Sequence, residues 1–90
     1  MAWGHKPIIE NDLDKILVAN TKDESLRKKY GDELYRFALH AKNINYEEAK
    51  RYAKNCKFLG SRYQDVFYVI DHSSLSGLEK LKLKLSWKFL

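Results

Sequence analysis

The chain has a single cysteine, a single proline and no apolar run near the roughly 18 residues of a membrane span. Cys56 alone cannot form an internal disulfide, so no bridge framework exists, and the composition fits a reducing compartment. Cys56 and the scattered His5, His40 and His72 show neither Cys-x-x-Cys nor His-x-x-x-His spacing. Neither a metal site nor a cofactor is therefore expected. Glycine-rich phosphate loops and catalytic carboxylate pairs at useful spacing are also missing. The stretch Met1 to Glu10 lacks the apolar core of a signal peptide. These absences predict a cytoplasmic protein with no membrane partner. Without internal repeats, low-complexity tracts or linkers, residues 1–90 read as one domain.

What is present is a folded composition: 44% hydrophobic and 13% aromatic, with six tyrosines. Tyrosine joins an apolar ring to a polar tip, so it suits both core edges and binding surfaces. The net charge is +5, and its placement matters more than its size. Residues 1–35 carry six cations against seven acids, and residues 63–90 carry four against three. Residues 36–62 carry seven against two, so the middle of the chain holds the surplus. A local cationic zone attracts phosphates or an acidic partner; equally, it can be a solvated helix face.

Apolar spacing predicts helices over the first two thirds. Pro7 sets an extended arm that Trp3, Ile8 and Ile9 anchor, and Asn11 caps a short helix with Leu13, Ile16 and Leu17 on one face. That helix ends near Asn20. Thr21 and Glu24 fit a capping box ahead of Leu26 and Tyr30. Gly31 caps or breaks that helix, and Asp32 restarts it. Leu34, Phe37, Ala38 and Ala41, widened by Tyr35 and Leu39, mark the central helix. Asn43-Ile44-Asn45 is a turn. Beyond it, Ala49, Tyr52, Ala53 and Cys56 share one helical face, with Lys50, Lys54 and Lys57 on a neighbouring arc and Arg51 further round. Gly60 ends that helix.

The last third reads as β-structure. Val66 to Ile70 is β-branched and aromatic, which favours a buried strand. Tyr63, Val66, Phe67 and Ile70 also fit helical spacing, with Ser61 as cap, and composition decides for the strand. Ser73 to Gly77 is a loop. Leu81, Leu83, Leu85, Trp87 and Phe89 then alternate with Lys80, Lys82, Lys84, Ser86 and Lys88, the period of a half-buried antiparallel strand with lysines facing water. The fold class expected is α+β, with three N-terminal helices followed by a C-terminal antiparallel β-hairpin.

This order of elements resembles the winged helix-turn-helix superfamily. The resemblance implies that the basic helix Tyr46 to Lys57 enters a major groove and that the loop His72 to Gly77 is the wing. A second frame resembles the compact helix-turn-helix of excisionase-type proteins; it makes 61–71 the reader and turns Arg62 and Gln64 toward the bases. Arg51 and Arg62 suit bidentate readout of guanine, whereas Asn45, Asn55 and Gln64 suit adenine. Lys50, Lys54 and Lys57 suit phosphates. Lys82 and Lys84 belong to the lysine row, which either touches backbone beside the wing or protects a sheet edge from aggregation.

The function expected is thus a non-catalytic nucleic-acid-binding regulator or accessory factor. Duplex DNA is favoured over RNA, and a homodimer on paired half-sites is open. Two other classes compete. One is a phage-type protein-binding adaptor or inhibitor anchored by Trp3 or Trp87 and the tyrosines. The other is a small toxin-like ribonuclease using His40, His72, Arg62 and Tyr63.

Overall fold

Helix alone builds the described part of the molecule. A computed structural model describes residues 12–17 and 23–90, and among these no strand occurs. The order is α1 (Leu13–Leu17), α2 (Glu24–Tyr30), α3 (Asp32–His40), a 3-10 turn (Ala41–Asn43), α4 (Tyr46–Phe58), α5 (Tyr63–Asp71), α6 (Gly77–Leu85) and a final 3-10 turn (Ser86–Phe89). The expectations placed on Trp3, His5, Pro7, Ile8, Ile9, Asn11, Asn20 and Thr21 lie outside the described residues.

The expected central helix is central. α3 packs against α1, α2, α4 and α5. Its side chains Leu34, Tyr35, Phe37 and Ala38 are buried, together with Leu13, Ile16 and Leu17 of α1 and Ala49, Ala53 and Cys56 of α4. The Phe37 and Tyr52 rings stack at 5.5 Å across the α3–α4 seam. The Tyr35 hydroxyl accepts a hydrogen bond of 3.0 Å from the Asp23 backbone N–H, which seats the start of α2 on α3.

Local chemistry sets the helix ends. Asp23 caps α2 by accepting from the Ser25 amide and hydroxyl, and those hydrogen bonds hold its carboxyl below the usual range. Gly31, at φ +90° and ψ 153°, turns the chain from α2 into α3 in a region that is essentially glycine-only and costs an L side chain about 1–3 kcal/mol. Asn45 and Glu48 cap α4 reciprocally. Gly60, at φ +87°, closes α4: its N–H reaches the Lys57 carbonyl, and the Ser61 N–H reaches the Cys56 carbonyl at 2.9 Å.

The expected β-hairpin is replaced by two helices. Val66, Val69 and Ile70 of α5 are fully buried, so the helical spacing that had lost to strand-like composition prevails. Burying each is worth about 1.5–3 kcal/mol. Arg62, not Ser61, occupies the cap position. A strand here would need a partner for its N–H and C=O groups, whereas a helix satisfies most of its own. The lysine–leucine alternation also winds into a helix, α6, capped by Ser76 and Glu79. Alternation advances about 200° per pair on a helix, so Leu83 points opposite to Leu81 and Leu85. Leu83 is buried, while Leu78, Leu81 and Leu85 are exposed.

The loop between α5 and α6 is anchored rather than extended as a wing. Its Ser74 N–H donates to the Ala41 carbonyl at 2.7 Å. The Ser74 hydroxyl donates to the Ile44 carbonyl and accepts from the Ile44 N–H, both at 3.0 Å. Leu75 is buried beneath it.

Candidate binding surface

Ten polar residues were the expected nucleic-acid contacts, and the fold divides them. Lys50, Arg51 and Lys54 lie on the exposed side of α4, opposite Ala49, Ala53 and Cys56. None of the three takes part in an intramolecular ion pair among the described residues. Gln64 is exposed as well.

The other six have structural employment. Asn45 is the α4 cap. The Asn55 amide donates to Glu33 at 2.6 Å. Lys57 is half-buried; its ammonium donates to the Trp87 carbonyl at 2.6 Å and sits 5.7 Å from the Trp87 ring centre. Arg62 pairs with Asp65 at 3.6 Å. Lys82 lies 5.2 Å from the Tyr46 ring centre, and Lys84 pairs with Asp71 at 2.7 Å. Neither lysine belongs to a wing, because the described residues contain no hairpin. The second frame is helical at 63–71, but α5 offers a groove only Gln64, with Asp65 and Asp71 as its charged residues. Phosphate repels such a helix.

A different surface emerges at the end of the chain. The Phe67 ring meets Tyr63 edge-on at 5.5 Å and Trp87 edge-on at 5.8 Å. This ladder docks the final 3-10 turn onto α5. Beside it opens a cleft of about 500 Å³ lined by Tyr63, Phe67, Lys84, Leu85, Trp87, Lys88 and Phe89. Leu85 is 67% exposed and Phe89 86%, values unlike those of side chains that finish a core. Leu78, Leu81 and Leu85 follow i, i+3, i+7 spacing, so the open apolar surface continues as a stripe along α6.

The stripe was invisible to a strand reading, which buries Leu81, Leu83 and Leu85 together. One signal could have exposed it. Ser76-Gly77-Leu78-Glu79 has capping-box spacing, and both reciprocal hydrogen bonds form at 3.2 Å.

His40 and His72 form no common site. His40 is exposed and stacks on Tyr52 at 6.3 Å. His72 Nδ1 lies 2.8 Å from the Tyr68 carbonyl. Arg62 and His72 cap opposite ends of α5, about 15 Å apart at helical rise. Burial pushes the Cys56 thiol up to about 12, so it is a core residue rather than a nucleophile. The described residues contain no cluster able to hold a metal ion and no helix long and apolar enough to cross a membrane. No protein-family model, no curated protein and no solved structure matches this chain.

Proposed function

We propose that this protein is a non-catalytic protein-binding adaptor whose contact surface is formed by α6, the final 3-10 turn and the start of α5. One observation carries the reading. Tyr63, Phe67, Leu85, Trp87 and Phe89 converge on one open cleft, with a rigid aromatic ladder as its wall. Aromatic anchors of low conformational entropy, set beside exposed leucine, are the usual energetic centre of a protein interface. A ribonuclease needs its acid, base and phosphate-binding cation together, and the span of α5 separates His72 from Arg62.

A photo-crosslinking amino acid placed at Phe89, and separately at Lys54, tests the reading in cells that make the protein. Protein adducts from position 89, with none from position 54, are expected. Nucleic-acid adducts from position 54 with a silent position 89 would overturn it.

A second reading has its own support. Lys50, Arg51 and Lys54 form an exposed cationic face on α4 with no acid among the described residues paired to it. Three cations displace few counterions, so the logarithmic salt slope for duplex binding would be about −3, or about 40-fold between 50 and 200 mM salt. Duplex binding with that slope, abolished in a Lys50→Glu/Arg51→Glu/Lys54→Glu variant, would favour nucleic acid over protein as the main partner.

A further inference from the structure

The stripe on α6 has a definite length, shape and charge. Leu78, Leu81 and Leu85 lie within one narrow arc of the helix, and Phe89 continues that line into the 3-10 turn. From Leu78 to Phe89 the surface runs about 16 Å, three turns of a facing helix. Its charged border is almost wholly cationic. Lys82 stands on one side, and Lys84 and Lys88 stand on the other. The acids nearby are already engaged: Glu79 accepts from the Ser76 N–H, and Asp71 accepts from Lys84. Lys82 and Lys88 are exposed and carry no ion pair among the described residues; Lys82 also lies over the Tyr46 ring.

These features decide among occupants. A second copy of the chain would set Lys82, Lys84 and Lys88 against their own equivalents, a like-charge arrangement with no free acid among the described residues of this surface to relieve it. An extended peptide would need a sheet edge to pair with, and the described residues contain no strand. A helix with one apolar face matches the ridge of leucines, and acids beside that face match the lysines. We propose that the Leu78–Leu81–Leu85–Phe89 stripe, bordered by Lys82 and Lys88, docks an acidic amphipathic helix of a partner protein. The proposal rests on the protein-binding reading above and adds the chemistry of the partner.

The test uses the full chain and three labelled synthetic peptides of four helical turns. The first carries leucines on one face with glutamates beside them. The second replaces the glutamates with lysines. The third scrambles the leucines around the helix. Binding is followed by fluorescence anisotropy. The acidic peptide should bind, and the scrambled one should not. The lysine peptide should bind at least about tenfold more weakly, and a Lys82→Gln/Lys88→Gln variant should lose about tenfold for the acidic peptide. Leu81→Gln/Leu85→Gln should abolish binding with an unchanged circular dichroism spectrum, since both side chains are exposed.

Each other outcome overturns the proposal. Equal binding of the acidic and lysine peptides, lost in Leu81→Gln/Leu85→Gln, leaves the contact surface in place but removes the acidic partner. So does sedimentation as a dimer that Leu85→Gln dissolves, or binding to vesicles of anionic lipid with none to the acidic peptide. If no peptide binds, the proposal fails, and adducts from position 89 then report whether the protein-binding reading survives without it.

Discussion

α3 and α6 are both nine residues long, and both are rich in apolar side chains. α3 buries four of its residues at the centre of the fold, whereas α6 buries Leu83 and leaves three leucines in water. The difference lies in spacing. Leu34, Tyr35, Phe37 and Ala38 fall on one side of a helix, so every apolar group can face the same interior. The leucines of α6 fall on two opposite sides, so no single packing arrangement buries them all. α3 spends its apolar surface on stability, and α6 presents most of its own outward.

That contrast breaks most visibly at Phe37. Its ring is fully buried and stacked on Tyr52. Phe37→Ala should lose about 3–5 kcal/mol, read as a fall in the denaturant midpoint at unchanged slope. For a small domain this is a large share of the total stability. A loss below about 1 kcal/mol would mean that α3 is not the centre of the core.

The caps sharpen the contrast at lower cost. Asn45 starts α4, which is integral to the core, and Ser76 starts α6, which lies at its edge. Asn45→Ala and Ser76→Ala should each lose about 1 kcal/mol of helix stability. The first should lower the global midpoint. The second should chiefly raise amide exchange in the first turn of α6, because a peripheral helix can open by itself. Equal global effects would contradict the difference drawn between the two halves.

How much of this was legible in the sequence follows from the same physics. Helices α1 to α4 could be read because their apolar residues recur on one face, and Gly31 and Gly60 end α2 and α4 with a positive φ. α5 was misread because Val66, Phe67, Val69 and Ile70 are the residues that strands prefer. Its helical spacing was legible but outweighed, because its place beside α3 and α4, which favours the helix, is not written in the local composition. α6 was misread because perfect alternation is a strong strand signal, and the Ser76–Glu79 box that opposes it is short. Lys50 and Lys54 lie on the exposed side of α4, whereas Lys57 is half-buried against the final turn. The tie between Lys57 and Trp87 spans thirty positions and left no mark in either segment.

The buried thiol separates the packed half from solvent by pH. Desolvation holds the folded Cys56 thiol near 12, above its ordinary 9.0. Above about pH 9 the unfolded thiol ionises and the folded one stays protonated, so stability falls as pH rises. The loss should stay below about 1 kcal/mol at pH 9.5 and shrink in a Cys56→Ala variant. In the same pH range, Cys56 should react with a thiol reagent only as fast as the protein unfolds. A cysteine introduced by Leu81→Cys should react at once. Fast native reaction of Cys56 would show that the core around α4 is open.

The smallest expected effect is the most discriminating. Leu85 is a large apolar side chain on a regular helix, yet two thirds of it meets water. Leu85→Gln keeps a good helix former and removes little buried area, so stability should change by no more than about 0.5 kcal/mol. The same substitution at Leu83, which is fully buried, should cost several times more, because it strips apolar contacts and strands an amide in the interior. Two leucines two positions apart would then respond oppositely, as a helix requires and as one face of a strand forbids. Comparable losses at 83 and 85 would mean that both sit inside, which would remove the stripe, the adaptor reading and the acidic partner together. If only Leu83 is costly, Leu85 is left without a structural role, and partner binding is the role the geometry offers it.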